Sequence, residues 1–232
     1  NHKVTVPLLI RMPVGGRRGY GPTHSQSLES MFMPISGIDI IAPSLCHNPG
    51  QMLETIIGRI NKPTIFIEYK TDYAKNLCID QIENFCIIRD NEEENQNISL
   101  AMYPNEQADI LIVTYGGNTS IAVEAAKKIF MENEIIINIL VLSCVRPIDE
   151  KWLISKIKMC GKIIVLEEGN KIGGWGSEIV SIIQEKAFDK LKRPIHRIGA
   201  MDIPIPSSGP MENEILPSVQ NIMDTVNLLM GE

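Results

Sequence analysis

The sequence predicts an α/β protein built on mostly parallel sheets. Three observations carry this. Short apolar runs alternate with amphipathic helical stretches along most of the chain, the order that gives parallel strands with right-handed crossovers. The runs are continuous rather than alternating in polarity, as in "VTVPLLIR" (4–11), which suits strands covered on both faces. Glycines gather where runs end and helices begin, in "GGRRGYGP", "TYGGNTS" and "GNKIGGWGSE", the place where α/β sheets form ligand crevices.

The elements follow in order. Residues 4–11 are the first strand, and Ser25 to Met33 has helical spacing. "GIDIIAPS" (37–44) is the second strand. Asn48 and Pro49 read as N-cap and first residue of a helix that places Met52, Ile56, Ile57 and Ile60 on one face. "PTIFIEY" (63–69) is the third strand. Residues 71–107 read as an interdomain connection with one short strand, "NFCII", and a solvated acidic run, "RDNEEENQN". Alternation resumes with the strand "ADILIVTYGG", followed by a helix capped by Asn118 or Thr119 and the strand "INILVLSCV". A helix closed by Gly161 comes next. Then come the strand "KIIVLEEG", a glycine-opened helix, the strand "PIHRIGAMD" and a last helix from near Pro217. The expected division is 1–70, with three strands, few for an independent sheet; 71–107, a linker; and 108–232, a complete α/β domain. The first strand starts almost at Asn1, so the opening domain is expected to begin upstream.

Composition narrows the function classes. The 232 residues carry a net charge of −6, a poor match for nucleic-acid binding, which depends on neutralising phosphates. No apolar run approaches the ~20 residues of a membrane-spanning helix, so neither nucleic acid nor a membrane is an expected partner. Cys46, Cys78, Cys86, Cys144 and Cys160 are scattered and form no Cys-x-x-Cys pair. Reduced thiols in the cytoplasm are the expectation, an organelle remaining open.

The loop "PVGGRRGYGP" fits neither the dinucleotide fingerprint nor the P-loop spacing. A structural turn and a functional one are about equally supported by its glycines, and Arg17 and Arg18 add guanidinium groups suited to anions. His24 follows at the mouth of the turn, where an imidazole can exchange protons near neutral pH. His2, His47 and His196 have weaker positions. "TYGGNTS" lacks a P-loop lysine, so a tight turn is the better reading than a phosphate cradle. Glu167 and Glu168 are neighbours on one strand and point to opposite sides, which excludes a shared-proton dyad.

The stretch "IRMPVGGRRGYGPTHSQSLESMFMPISGIDIIAPS" resembles the beta subunit of thiamine-diphosphate-dependent 2-oxo acid dehydrogenases, of pyruvate, branched-chain or acetoin type. "NKPTIFIE", "VLSCVRPIDEKWL", "VLEEGNKIGGWGSEI" and "RIGAMDIPIP" are similar to the same family. The resemblance implies that residues 1–70 are the C-terminal part of a pyrimidine-binding domain and 108–232 a transketolase C-terminal-type domain. It places upstream of Asn1 the glutamate that activates the cofactor's aminopyrimidine. It implies thiamine diphosphate with magnesium shared with an alpha subunit, a second beta subunit in an α₂β₂ assembly, and a lipoyl-bearing acyltransferase core. By the same resemblance His24 faces the lipoyl channel and serves as proton donor or hydrogen-bond donor during reductive acylation. Ser25 and Gln26 orient it, and Arg17 and Arg18 belong to the channel. Main-chain carbonyls of Ile57, Gly58, Ile60 and Lys62 match a potassium site. The glycine-rich "GGWG" is architectural on this reading. Two other readings stand beside it. One is another transketolase-group thiamine enzyme, with Arg17 and Arg18 on a sugar phosphate; the other is a truncated, non-catalytic assembly or docking subunit.

Overall fold

The computed structural model describes residues 4–90 and 96–231. His2 and the middle of the acidic run lie outside the described residues. Strands β1 (Leu9–Val14), β2 (Asp39–Ile41) and β3 (Thr64–Tyr69), with α1 (Pro49–Arg59), make the first region. β4 (Cys86–Arg89), β5 (Ile98–Ala101), β6 (Ile110–Tyr115), α2 (Asn118–Asn133), β7 (Ile137–Leu142) and β8 (Cys144–Arg146) follow. The chain continues through α3 (Glu150–Ile157), β9 (Ile163–Asn170), α4 (Trp175–Ala187), β10 (His196–Ala200), α5 (Gly209–Ile215) and α6 (Val219–Met230).

Two sheets result. The first has the order β1-β3-β2-β8 and the second β10-β9-β6-β7-β5-β4. β1, β3 and β2 are mutually parallel, as are β10, β9, β6 and β7. The exceptions are β8, antiparallel to β2, and the β4–β5 hairpin, antiparallel to β7. Side-chain alternation along β6 divides the interior. Ile110 and Ile112 pack with residues of α2 and α6, whereas Leu111 and Val113 join a core built from α3, α4 and the first sheet. Apolar residues on both faces explain the continuous runs in the sequence.

Several expectations change. The helix over 25–33 contracts to a 3₁₀ turn at Glu29–Phe32, because the Gln26 carbonyl accepts from Gly15 N–H and the Ser27 hydroxyl donates to Glu168. Residues 71–107 hold two strands, and both belong to the second sheet; "ISLA" is too short for periodicity to reveal. The run "INILVLSCV" breaks at Ser143, whose N–H donates to Asn97 Oδ1 and whose carbonyl accepts from Ala42 N–H. The chain thereby passes from the second sheet to the first. Gly161 is no helix cap: α3 ends at Ile157, and a Cβ on Gly161 would lie 2.4 Å from the Lys190 carbonyl oxygen.

Helix ends otherwise follow local chemistry. Asn48 caps α1 through Gln51 N–H, with Pro49 opening it. Of its expected apolar face, Met52 is buried, Ile56 and Ile60 are half-buried, and Ile57 is 61% exposed. Ser218 caps α6 in a capping box with Asn221. α5 had no signal in the sequence reading. Neither Asn118 nor Thr119 caps α2; both are buried, and Gly117 holds the N-cap position. All five cysteines are free. Among the described residues no helix is long and apolar enough to cross a membrane.

Candidate active site

The glycine loop leaves the carboxyl end of β1 and returns through a turn in which His24 and Ser25 N–H both donate to the Gly21 carbonyl. Gly15, Gly19 and Gly21 have φ of +95°, +70° and +71°, angles that glycine adopts without penalty. Two buried carboxylates from the second half of the chain hold the loop's amides. Glu168, on β9, accepts from Gly16 N–H and from Ser27 Oγ, each at 2.9 Å. Glu212, on α5, accepts from Gly19 N–H at 2.6 Å. Carboxylate acceptors strengthen amide hydrogen bonds, so the loop's shape is set from outside it.

His24 ends up exposed on the rim of a cavity of about 580 Å³. Met12, Pro13, Val14 and Leu28 form the apolar wall, and Tyr20, Thr23, Gln26 and Lys70 share the rim. The Gln26 amide donates to the Pro22 carbonyl, fixing the turn on the far side of His24. Lys70, just beyond β3, donates its ammonium to the His24 carbonyl oxygen. Ser25 is fully buried behind the loop, its hydroxyl without a partner among the described residues.

The structure thus brings His24 and Gln26 together and sets Ser25 behind them. Arg17 and Arg18 do not line the cavity. Arg17 Nη2 donates to the Pro217 carbonyl and Arg18 Nη2 to the Lys70 carbonyl at 2.9 Å, so both guanidinium groups tie the loop to neighbouring segments. Ile57 and Gly58 fall in the last turn of α1, where helix carbonyls lack intrahelical partners. Ile60 is the C-cap, and the Lys62 ammonium pairs with Asp39 at 2.8 Å. Lys70, Tyr20, Glu168 and Glu212 were not singled out as site residues. The rule that crevices form at carboxyl ends of parallel strands points to Lys70; nothing local points to Glu212.

Glu167 and Glu168 do point apart. Glu167 pairs with Arg197 at 2.8 Å and accepts from the first amides of α4, while Glu168 serves the loop. Burial nevertheless raises Glu167 above the ordinary carboxylate range. A second buried group lies deeper. Glu29 is 1% exposed and accepts from the Tyr115 hydroxyl. Burial, opposed by that hydrogen bond, raises it to about 7. His47, fully buried, accepts from Ser44 N–H at Nδ1 and meets the Gln96 carbonyl at Nε2. Burial lowers it to about 4, so it is a neutral structural histidine.

The "TYGGNTS" turn is a packing feature. A Cβ on Gly116 would lie 2.2 Å from the Tyr69 ring, and one on Gly117 2.5 Å. Tyr69, 3% exposed, therefore covers the start of α2, leaving no room there for a phosphate. Gly116→Ala, at φ +55°, is expected to cost on the order of 3 kcal/mol through overpacking and left-handed strain, read as a fall in urea midpoint.

A family model described as "Transketolase, C-terminal domain" matches residues 100–222. The chain belongs to this transketolase C-terminal family. Among relatives, it is 31% identical over 227 residues to the pyruvate dehydrogenase E1 component subunit beta of Gracilaria tenuistipitata var. liui, covering 97% of this chain and 66% of that one. It is 29% identical over 222 residues to the mitochondrial subunit of that name from Dictyostelium discoideum, covering 96% and 60%. It is 26% identical over 224 residues to subunit beta-1 from Arabidopsis thaliana mitochondria, covering 95% and 59%. The chain spans about three fifths of the length of the latter two. A solved structure titled "Split gene transketolase, inactive beta4 tetramer" superposes with a TM-score of 0.71 at 17% identity, over 97% of this chain and 67% of that one. The transketolase-like fold extends through both sheets, beyond the residues that the family model covers.

Proposed function

We propose that the chain is the beta subunit of a 2-oxo acid dehydrogenase decarboxylating component, working with an alpha subunit and thiamine diphosphate. The supporting observation is His24 on the rim of a mostly apolar cavity at the carboxyl ends of β1 and β3, within the span similar to subunits named pyruvate dehydrogenase E1 beta. The apolar wall of the cavity suits the ring end of the cofactor. On the resemblance, the diphosphate and magnesium belong to the alpha subunit. When bound, the cofactor supplies the carbanion for attack on the keto carbon and a ring that takes the electrons as carbon dioxide leaves.

The chain's own residues orient and protonate. Glu168 and Glu212 fix the loop, Lys70 and Gln26 hold its turn, and His24 stands free to hand a proton to a lipoyl sulfur. Met12 and Leu28 keep water from part of the crevice. Potassium, if carried, sits on the carbonyls of Ile57, Gly58, Ile60 and Lys62 after α1. A second beta subunit and the lipoyl-bearing acyltransferase core complete the assembly. Arg17 and Arg18 do not line the His24 cavity, so a sugar phosphate held there would not meet them. The free thiols suit a reducing compartment such as the cytoplasm.

The test is co-expression with a candidate alpha subunit, followed by an assay for carbon dioxide release from 2-oxo acids with and without thiamine diphosphate. A stable complex with cofactor-dependent release is expected. If the gene product that carries this chain, together with the activating glutamate that the resemblance places upstream of Asn1, forms a folded complex that releases none, this reading ends.

A further inference from the structure

Lys70 is the one lysine or arginine among the residues lining the His24 cavity, and no aspartate or glutamate lines it. Its position is fixed twice. Its carbonyl accepts from Arg18 Nη2 at 2.9 Å, and its ammonium donates to the His24 carbonyl oxygen. An ammonium carries three donors, so two N–H groups remain beside the cavity. Among the described ion pairs none includes Lys70. Tyr20, Thr23 and Gln26 add neutral hydrogen-bonding groups around it, while Met12, Pro13, Val14 and Leu28 form an apolar wall. A cation at one edge of a largely apolar cavity is the complement of a monocarboxylate with an apolar chain. Its carboxylate would meet the ammonium and its carbon chain the wall.

We propose that Lys70 is the carboxylate-binding residue of this cavity and favours a singly charged 2-oxo acid. The choice of a 2-oxo acid rests on the functional reading above; the anion site itself rests on the geometry. Burial, with the repulsion of Arg18, lowers the Lys70 ammonium from its ordinary value, and Glu168 and Glu212 oppose that shift from behind the loop. One further feature fits. Because the same ammonium holds the His24 carbonyl, a carboxylate at Lys70 would lie close to the imidazole that acts next.

The experiment measures binding of pyruvate and of its neutral methyl ester to the full chain, by calorimetry and ligand-observed NMR. Wild type, Lys70→Met and Lys70→Arg are compared, with thermal melts as the folding control. Loss of one charge-assisted hydrogen-bonding partner is expected to weaken pyruvate binding about tenfold to a hundredfold in Lys70→Met. Lys70→Arg should retain most of the affinity, and the ester should bind all three alike. Equal pyruvate affinity in a folded Lys70→Met variant, absence of pyruvate binding to wild type, or an equal loss for the ester would overturn the proposal. In the reconstituted complex the same substitution should raise the pyruvate KM with a smaller change in kcat. An active complex with unchanged KM sinks the Lys70 assignment alone. Pyruvate binding through Lys70 without decarboxylation by any complex sinks the functional reading and leaves the anion site.

Discussion

Replacing His24 with alanine is expected to lower the rate of lipoyl acylation in a reconstituted complex by about 10²–10⁴, the worth of a positioned proton donor. Decarboxylation read with an artificial electron acceptor should change far less, because the imidazole is needed only when the lipoyl sulfur must be protonated. The geometry makes the substitution clean. The His24 side chain is exposed and takes part in no hydrogen bond among the described residues, whereas its backbone is held by Gly21 and Lys70. Thermal stability should therefore stay close to wild type, and the two rates can be compared on a folded protein. Equal losses in both assays would assign His24 to cofactor or substrate binding instead. No loss in either would remove it from the site.

The parts of this site that were legible in the sequence are those made by neighbours in the chain. Glycines after an apolar run, followed by a histidine, place a flexible turn at a strand end. The strand-end rule then places that turn in a crevice. What was not legible is whatever comes from far away. Gly16 and Glu168 are 152 residues apart, and Gly19 and Glu212 are 193 apart. Glu212 sits on a seven-residue helix whose glycine and proline read as loop. Lys70 reads only as the last residue before a linker, although the strand before it ends where the crevice begins. Of the β4–β5 hairpin, β4 corresponds to the short strand "NFCII", whereas β5 was hidden for a different reason. It has only four residues, so burial against β7 rather than local pattern decides its state. The arginines illustrate the converse error. A pair of guanidinium groups in a glycine loop suggests an anion in the crevice, but each donates to a backbone carbonyl and neither lines the His24 cavity.

Glu29 should make the protein measurably less stable as pH rises toward neutrality. Its carboxyl lies within the turn that the two sheets enclose, accepts from the Tyr115 hydroxyl, and faces the negative charges of Glu167 and Glu168. Burial, the largest of these influences, raises it to about 7 against an ordinary value of 4.5. Below the unfolded value both states hold the proton and nothing is lost. Between the two values the unfolded chain releases its proton while the folded one keeps it, so stability declines. Above about 7 the full penalty applies, on the order of 3 kcal/mol from 1.36 kcal/mol per unit. Glu29→Gln removes the titration and keeps an oxygen for the Tyr115 hydroxyl. Relative to wild type, the glutamine variant should therefore gain on the order of 3 kcal/mol between pH 4.5 and pH 8, roughly 6–12 °C in Tm for a chain of this size. Urea or thermal melts of both proteins across that range give the difference directly, and other titrating groups cancel in the comparison. Parallel stability profiles would mean that Glu29 titrates alike in the folded and unfolded chain. The turn between the sheets would then be wetter than its 1% exposure implies.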